Sequence, residues 1–490
     1  MRLPFRAAAL EVPMFSVKED GRRKHPSRHR ALAAGGAVLL LLLGAACTLG
    51  GGDGSGALTF WTPHVTPDRL DQQEATAERF TEETGIDVDV VAMAASDQNQ
   101  ALVTGAASGD VPDVILLAPD QAAAWTAQGL LDTDTAGAVV AELGRDTFSD
   151  NALDMVTTGG ALTAVPSDGW GQVLVYRTDM FEAAGLRPPR TIEDIADAAE
   201  KLSSDGVAGI VLGTKPGDPF TTQTLEALLL AGGCDLVDDA GEVALEAPEC
   251  ARALDAYARM ADASVGGDQD VETTRAAYLS GRSAMLFWGS HIFDELAGLA
   301  PDFPPTCGEC ADDPAFLAAN SRVVTGLYPP GAGASGDPDE ARQYGLTLNL
   351  GVPRGADTAA ARKFIEFLLS DGYVDTLAVS PEGRIPVRMG TKENPTAFAD
   401  AWTSLPTGED EDARRPLSDF YDEKTIRGIV EGAQSFRRWG YGTEQAAFAG
   451  ALAAQNTLSR EVGPLFDGAD PADVARRMAD AARDVQADVE

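Results

Sequence analysis

Ala57-Leu58-Thr59-Phe60-Trp61, Ile86-Asp87-Val88-Asp89-Val90-Val91 and Val114-Ile115-Leu116-Leu117 mark three short strands, and what separates them decides the fold. Between the first two, Asp68 to Thr84 places Leu70, Ala77 and Phe80 at helical spacing before Gly85 stops the run. The second strand alternates apolar and acidic residues. A polar helix from about Gln98 to Ser108 follows it, and Pro112-Asp113 leads into the apolar third strand. Strand, helix, strand, helix, strand implies a parallel sheet with helices on both faces, whose ligands bind outside the carboxyl ends of the strands.

Downstream the pattern changes. Leu162 to Pro166 reads as a short extended segment leading through Ser167-Asp168-Gly169-Trp170-Gly171-Gln172 into a strand, Val173 to Tyr176, the expected crossover between lobes. Thr191-Ile192-Glu193-Asp194 has the form of a capping box, and Ile192, Ile195, Ala199 and Leu202 make one packing stripe. Pro301 to Pro305 and Pro329 to Pro338 are rich in Pro, Gly and Asp. The region around Cys307 and Cys310 is therefore expected to be a loop insertion ahead of a return crossing at Val323 to Pro330. Cys234 with Cys250 and Cys307 with Cys310 read as two disulfides; a redox or zinc role for the C-x-x-C is the alternative.

Upstream, Leu41-Leu42-Leu43-Gly44-Ala45-Ala46-Cys47 closes an uncharged run from Ala31 that follows Arg22, Arg23, Lys24, Arg28 and Arg30. This is the form of a bacterial lipoprotein signal, with residues 1–46 removed and a lipid on Cys47, although Gly44 stands where such a motif usually has Leu. A transmembrane anchor or ordinary secretory signal is the alternative, and Met14 offers a second start. Residues 47–56, rich in glycine, read as a flexible tether. The chain carries 38 basic and 76 acidic side chains, a net −38. The first 46 residues hold 8 basic and 3 acidic ones, so the remainder carries −43. Such a charge repels phosphate backbones, which excludes nucleic acid as a partner and favours neutral or cationic ligands. A hydrophobic content of 44% supports a substantial core, and about 440 residues correspond to two or three lobes.

Five ordered segments resemble the family 1 extracellular solute-binding proteins of ABC importers, the group containing the maltose-binding protein. They are Phe80 to Val88, Ala107 to Val114, Ala164-Val165-Pro166 ahead of the Val173 strand, Tyr278 to Gly289, and Ala361 to Leu369. Beyond about residue 395 the likeness thins to helical texture. The resemblance implies an α/β, two-lobe, periplasmic-binding-protein-like fold, each lobe a mainly parallel sheet flanked by helices, with the ligand cleft between them. The expected division is 57–165 for lobe 1, 166–322 for lobe 2, 323–378 for the rest of lobe 1, and 379–490 for a C-terminal helical part of lobe 2. It further implies a lipid-anchored, extracytoplasmic monomer that captures a small solute and delivers it to permease transmembrane subunits.

A sugar presents hydroxyl edges and apolar ring faces, so its site needs polar acceptors and donors beside aromatic rings. Loops at strand ends offer Trp61 and His64, Asp120 and Gln121, Asp168, Trp170 and Gln172, and Trp288 and Ser290 as ligand-binding candidates. For the tryptophans core packing is the alternative, and for Asp120 and Asp168 capping or exposure. Arg384 is either a cleft residue or an ion-pair partner, while Trp439 and Tyr441 beside Arg437 and Arg438 read first as packing. An enzyme is not expected, nor a cofactor or metal. Past Cys47 only His64 and His291 remain as histidines, and no H-E-x-x-H, G-x-S-x-G or Walker A motif occurs. A ligand sensor for a membrane receptor, or less readily a lipid-anchored glycan hydrolase or lyase, is the alternative.

Overall fold

The computed structural model describes residues 56–204, 206–332, 340–408 and 411–489. The signal, Cys47 and nearly all of the tether lie outside them. β1 (Leu58–Thr62), α1 (Pro67–Thr84), β2 (Val88–Ala92), α2 (Ala95–Ser108) and β3 (Val114–Leu117) follow the expected order, α2 beginning three residues early. Pro67 opens α1, and Gly85, with φ 73°, closes it by donating its N–H to the Thr81 carbonyl. β1 lies parallel to both β2 and β3.

α3 (Pro119–Ala127) follows β3, and after further helices and a small hairpin in which Leu162 pairs with Thr157 comes the long strand β4 (Val165–Arg177). It absorbs the end of the expected extended lead, from Val165, together with the expected loop and strand, so Asp168, Trp170 and Gln172 are strand residues, not loop residues. The other strands of the nine-stranded sheet are β5 (Met285–Gly289), β6 (Ser321–Val324), β7 (Gln343–Gly351), β8 (Ile385–Pro386) and β9 (Phe436–Arg437). β4 changes partners along its length. Val165 to Gly171 pair with β7, and Asp168 and Gly169 also with β8, whereas Gln172 to Tyr176 pair with β5 and Leu174 to Arg177 with β6. β7 is likewise shared, reaching β3 at one end and β9 at the other.

The fold is the α/β two-lobe type, but its pairing is mixed: β4 runs antiparallel to all four of its partners because it carries the chain from one strand group to the other. The return crossing expected at Val323 to Pro330 comes later. β6 still pairs beside β5, and β7 is the strand that reaches back to β3. The chain past residue 379 first lays β8 against Asp168 and Gly169 before it turns helical.

Helices cover both groups: α4 (Ile192–Leu202), α5 (Pro219–Ala231), α6 (Pro248–Asp262), α7 (Thr358–Leu368), α8 (Ala446–Ala454) and α9 (Pro471–Val489). Thr191 caps α4 in the expected box with Asp194. α4 and α9 pack on α6, α8 packs on both α3 and α9, and Phe80 of α1 meets Phe364 of α7 edge-on at 5.0 Å. Both disulfides form as expected, Cys234–Cys250 joining the end of α5 to the start of α6 and Cys307–Cys310 closing a turn of the insertion. Among the described residues no helix is long and apolar enough to cross a membrane.

Candidate functional site

The place where β4 changes partners is built by glycine and one phenylalanine. Gly169 and Gly171 of β4 and Gly345 of β7 lie under the Phe436 ring, and a Cβ on Gly345 would fall inside it. The ring therefore lies flush on the strands, and β9 is drawn parallel to β7 through Phe436–Gln343 and Arg437–Tyr344 pairing. Successive strand residues alternate faces, so Asp168, Trp170 and Gln172 share one side of β4. Trp170 is the one residue of β4 that keeps substantial solvent contact.

From Trp170 a row of rings runs in both directions. His291 lies at 5.4 Å on one side and Tyr344 at 6.3 Å on the other. The Arg438 guanidinium then sits between two phenols, 4.7 Å from the Tyr344 ring centre and 5.1 Å from that of Tyr441. Glu226 of α5 grips Arg438 through both carboxylate oxygens, at 2.7 and 3.0 Å, and also accepts the Trp439 N–H. Burial alone would lower the Arg438 pKa. The Glu226 charge, helped by Tyr344 and Tyr441, more than offsets that and holds it well above the usual arginine value. Burial raises the pKa of both tyrosines, which therefore stay as neutral phenols.

Three buried atoms near this row have no hydrogen-bond partner among the described residues: Gln172 Oε1, Arg437 Nε and Tyr441 Oη. A buried polar atom left unpaired costs about 1–3 kcal/mol, so these three are candidates to meet the polar groups of a water or a ligand. Arg438 and Tyr441 also line a cavity of about 630 Å³, walled by Asn151 and Asp154 on one side and Asp235 to Gly241 on the other. That volume lies within the range of small-molecule sites.

The residues expected from sequence divide into two sets. Around the crossing lie Asp168, Trp170, Gln172, Ser290, Arg384 and His64. Arg384 takes the ion-pair alternative, forking onto Asp168 at 2.9 and 3.0 Å with both side chains inside the protein, so neither presents a free charge to a ligand. Ser290 is fully buried and donates to the Glu382 carbonyl. His64 faces Arg384, Arg69 and His291, and burial followed by those three neighbours lowers its pKa to about 2, so it is neutral. Asp120 stands near Tyr441: a Cβ on Gly450 would lie 3.5 Å from the Asp120 Cβ and 3.6 Å from the Tyr441 hydroxyl.

The second set lies elsewhere. Trp288 takes the core alternative, with its indole N–H on the Val271 carbonyl. Gln121 accepts the Ala118 N–H as a cap of α3. Trp61 lies half-buried beside α2, in a separate groove with Met93 and Gln100. Tyr344 and Glu226 are not among the residues singled out from the sequence, while Trp439 and Tyr441, read first as packing, are buried. One signal was available: Glu226 interrupts the apolar run Leu225 to Ala231, and a carboxylate there requires a cation.

Comparison with known proteins agrees with this architecture. The family model for bacterial extracellular solute-binding proteins matches residues 75–407. YcjN of Escherichia coli (strain K12), named for a periplasmic-binding role in an ABC transporter, is 26% identical over 318 residues, covering 63% of this chain and 68% of that protein. Two solved structures share the fold. One is an Agrobacterium radiobacter K84 ABC transporter solute-binding protein in complex with ribitol, at TM-score 0.61 and 19% identity, covering 87% of this chain and 98% of that one. The other is the cyclic alpha-maltosyl-1,6-maltose binding protein of Arthrobacter globiformis, at TM-score 0.63 and 18% identity, covering 88% and 98%. The chain belongs to the bacterial extracellular solute-binding proteins, and it is a binding protein, not an enzyme.

Proposed function

We propose that this protein captures a neutral polyhydroxylated solute, a sugar or polyol, between its lobes and presents it to the transmembrane subunits of an ABC permease. It does so as a monomer held at the outer face of the cell membrane by a lipid on Cys47. The observation that carries this reading is the partly exposed Trp170 at the crossing, which offers a ring face to sugar carbons on the same side of β4 as the unpartnered Gln172 Oε1, with Arg437 and Tyr441 lining the adjoining cavity. Asp120 and His64 border the same region and complete the contacts. The net −38 disfavours anionic solutes, and the names of the two solved relatives, a ribitol complex and a cyclic oligosaccharide binder, point the same way. In this reading the lobes meet where β4 changes partners, between Gly171 and Gln172, and a ligand touching both favours the closed state through its contacts there.

A thermal-shift screen over sugars and polyols tests the proposal. A true ligand at a hundred times its dissociation constant adds about 2.7 kcal/mol of stability, and a panel without any shift overturns the reading. With the hit in hand, Trp170→Ala is expected to weaken calorimetric affinity roughly 5- to 150-fold, about 1–3 kcal/mol, while the unliganded melting temperature changes little. For the anchor, Cys47→Ser is expected to release the protein from membranes or leave it as an uncleaved precursor; unchanged retention with normal processing refutes lipidation there.

A further inference from the structure

Gln172 is 3% exposed, and one hydrogen bond orients its amide. Its Nε2 donates to Oε1 of Gln223, in the first turns of α5, at 3.3 Å, while its backbone carbonyl accepts from Gln343 Nε2 at 3.2 Å. With the nitrogen so directed, the Gln172 Oε1 is left buried without a partner, on the same face of β4 as the solvent-touching Trp170. Gln223 uses its oxygen in this bond and keeps its Nε2 hydrogens as donors; it is only half-buried. The amide pair thus offers one acceptor and one set of donors to whatever enters beside Trp170.

We infer that the Gln172–Gln223 pair is the element that selects a neutral hydroxyl over a charged group, with Gln223 a specificity-determining residue. The inference rests on the sugar or polyol reading and deepens it. A hydroxyl is donor and acceptor at once, so it donates its hydrogen to Gln172 Oε1 while its oxygen accepts from Gln223 Nε2. A carboxylate has no hydrogen to give and sets its charge against the Gln172 oxygen. An ammonium has no lone pair for Gln223. Sugar acids and amino sugars charged at the position that reaches this pair are therefore rejected, while the neutral member of the same skeleton is held, its carbon face on Trp170.

The test is calorimetric titration of wild type and Gln223→Leu with matched neutral, acidic and amino members of the skeleton found in the carbohydrate panel, beginning with D-glucose, D-glucuronate and D-glucosamine. Wild type is expected to bind the neutral member at least about tenfold more tightly than either charged one. Gln223→Leu is expected to lose roughly 5- to 150-fold for the neutral member, because the solute oxygen loses its Gln223 Nε2 donor, and to narrow the preference, while a cooperative unliganded melt shows that the variant still folds. Gln172→Glu provides a second arm, expected to weaken neutral binding in the same direction where it folds. Equal or tighter binding of a charged member by wild type, or neutral binding unaffected in Gln223→Leu, overturns the inference while the broader function stands. Failure of every sugar and polyol to bind wild type overturns that function and this inference with it.

Discussion

Asp168 and Arg384 are 216 positions apart and meet inside the protein, where either charge alone would be expensive. Asp168 is held from several directions: Arg384 forks onto both its oxygens and the Ser167 hydroxyl donates to one of them at 2.5 Å. The Tyr373 hydroxyl donates to the Ser167 carbonyl alongside. The pair fixes β4 to the start of β8 at the point where β4 pairs with two strands at once. Removing one partner leaves an uncompensated buried cation. Asp168→Ala is therefore expected to lower unfolding free energy by about 3–5 kcal/mol in a urea titration monitored by tryptophan fluorescence. A loss below 1 kcal/mol would mean that water reaches the guanidinium and that the pair is not structural. Nothing local in Ser167-Asp168-Gly169 announces this partner, and for that reason the sequence leaves Asp168 open between ligand acceptor and bland alternatives.

At the scale of elements, the reading succeeds where the cause is local and fails where it is distant. The β1–α1–β2–α2–β3 order follows from periodicity, and Gly85 ends α1 by its own backbone conformation, so each is legible within a few residues. β4 is different. Its Ser167-Asp168-Gly169-Trp170-Gly171 looks like loop composition, yet the glycines are there because Phe436, more than 260 positions later, lies on them. The candidate site follows the same rule: Trp170 stands out as an aromatic at a crossing, whereas the Arg438–Glu226 clasp and Tyr344 are assembled by packing between distant segments. The glycine bed makes a prediction. Gly345→Ala must push the Phe436 ring and β9 away, at an expected stability loss of about 1–3 kcal/mol. Solute affinity should fall as well, because Phe436 leads directly into Arg437, Arg438 and Tyr441. An alanine variant with unchanged melting temperature and affinity would show that the ring is free to move and does not hold the site.

At the scale of the whole molecule, stability depends on pH through two histidines on different strand groups. His64 follows β1 and His291 follows β5, and both are neutral in the folded state. His64 is lowered to about 2 by burial and by Arg384, Arg69 and His291; His291 is lowered by burial and Arg69, against a smaller opposing effect of Glu382. The Asp168 charge next to Arg384 is already engaged by that arginine and offers His64 no free counter-charge. In the unfolded chain a histidine takes up a proton near pH 6.5. Below that pH the unfolded state binds protons that the folded state refuses, so stability must fall as the solution is acidified from about 6.5 toward 2. Each histidine contributes a slope of up to about 1.4 kcal/mol per pH unit, hence up to about 2 kcal/mol between pH 6.5 and 5. A chain of net −38 experiences an opposite trend as its mutual repulsion relaxes in acid, so wild type alone is a poor witness. The informative quantity is the difference between wild type and a His64→Gln, His291→Gln double variant, each unfolded in urea at pH 7.5, 6 and 5. Stability of wild type relative to the variant is expected to decline steadily toward pH 5, since glutamine has no proton to take up. A difference independent of pH would mean that both imidazoles titrate freely in the folded protein, which would require the contact between the two strand groups to be open to water.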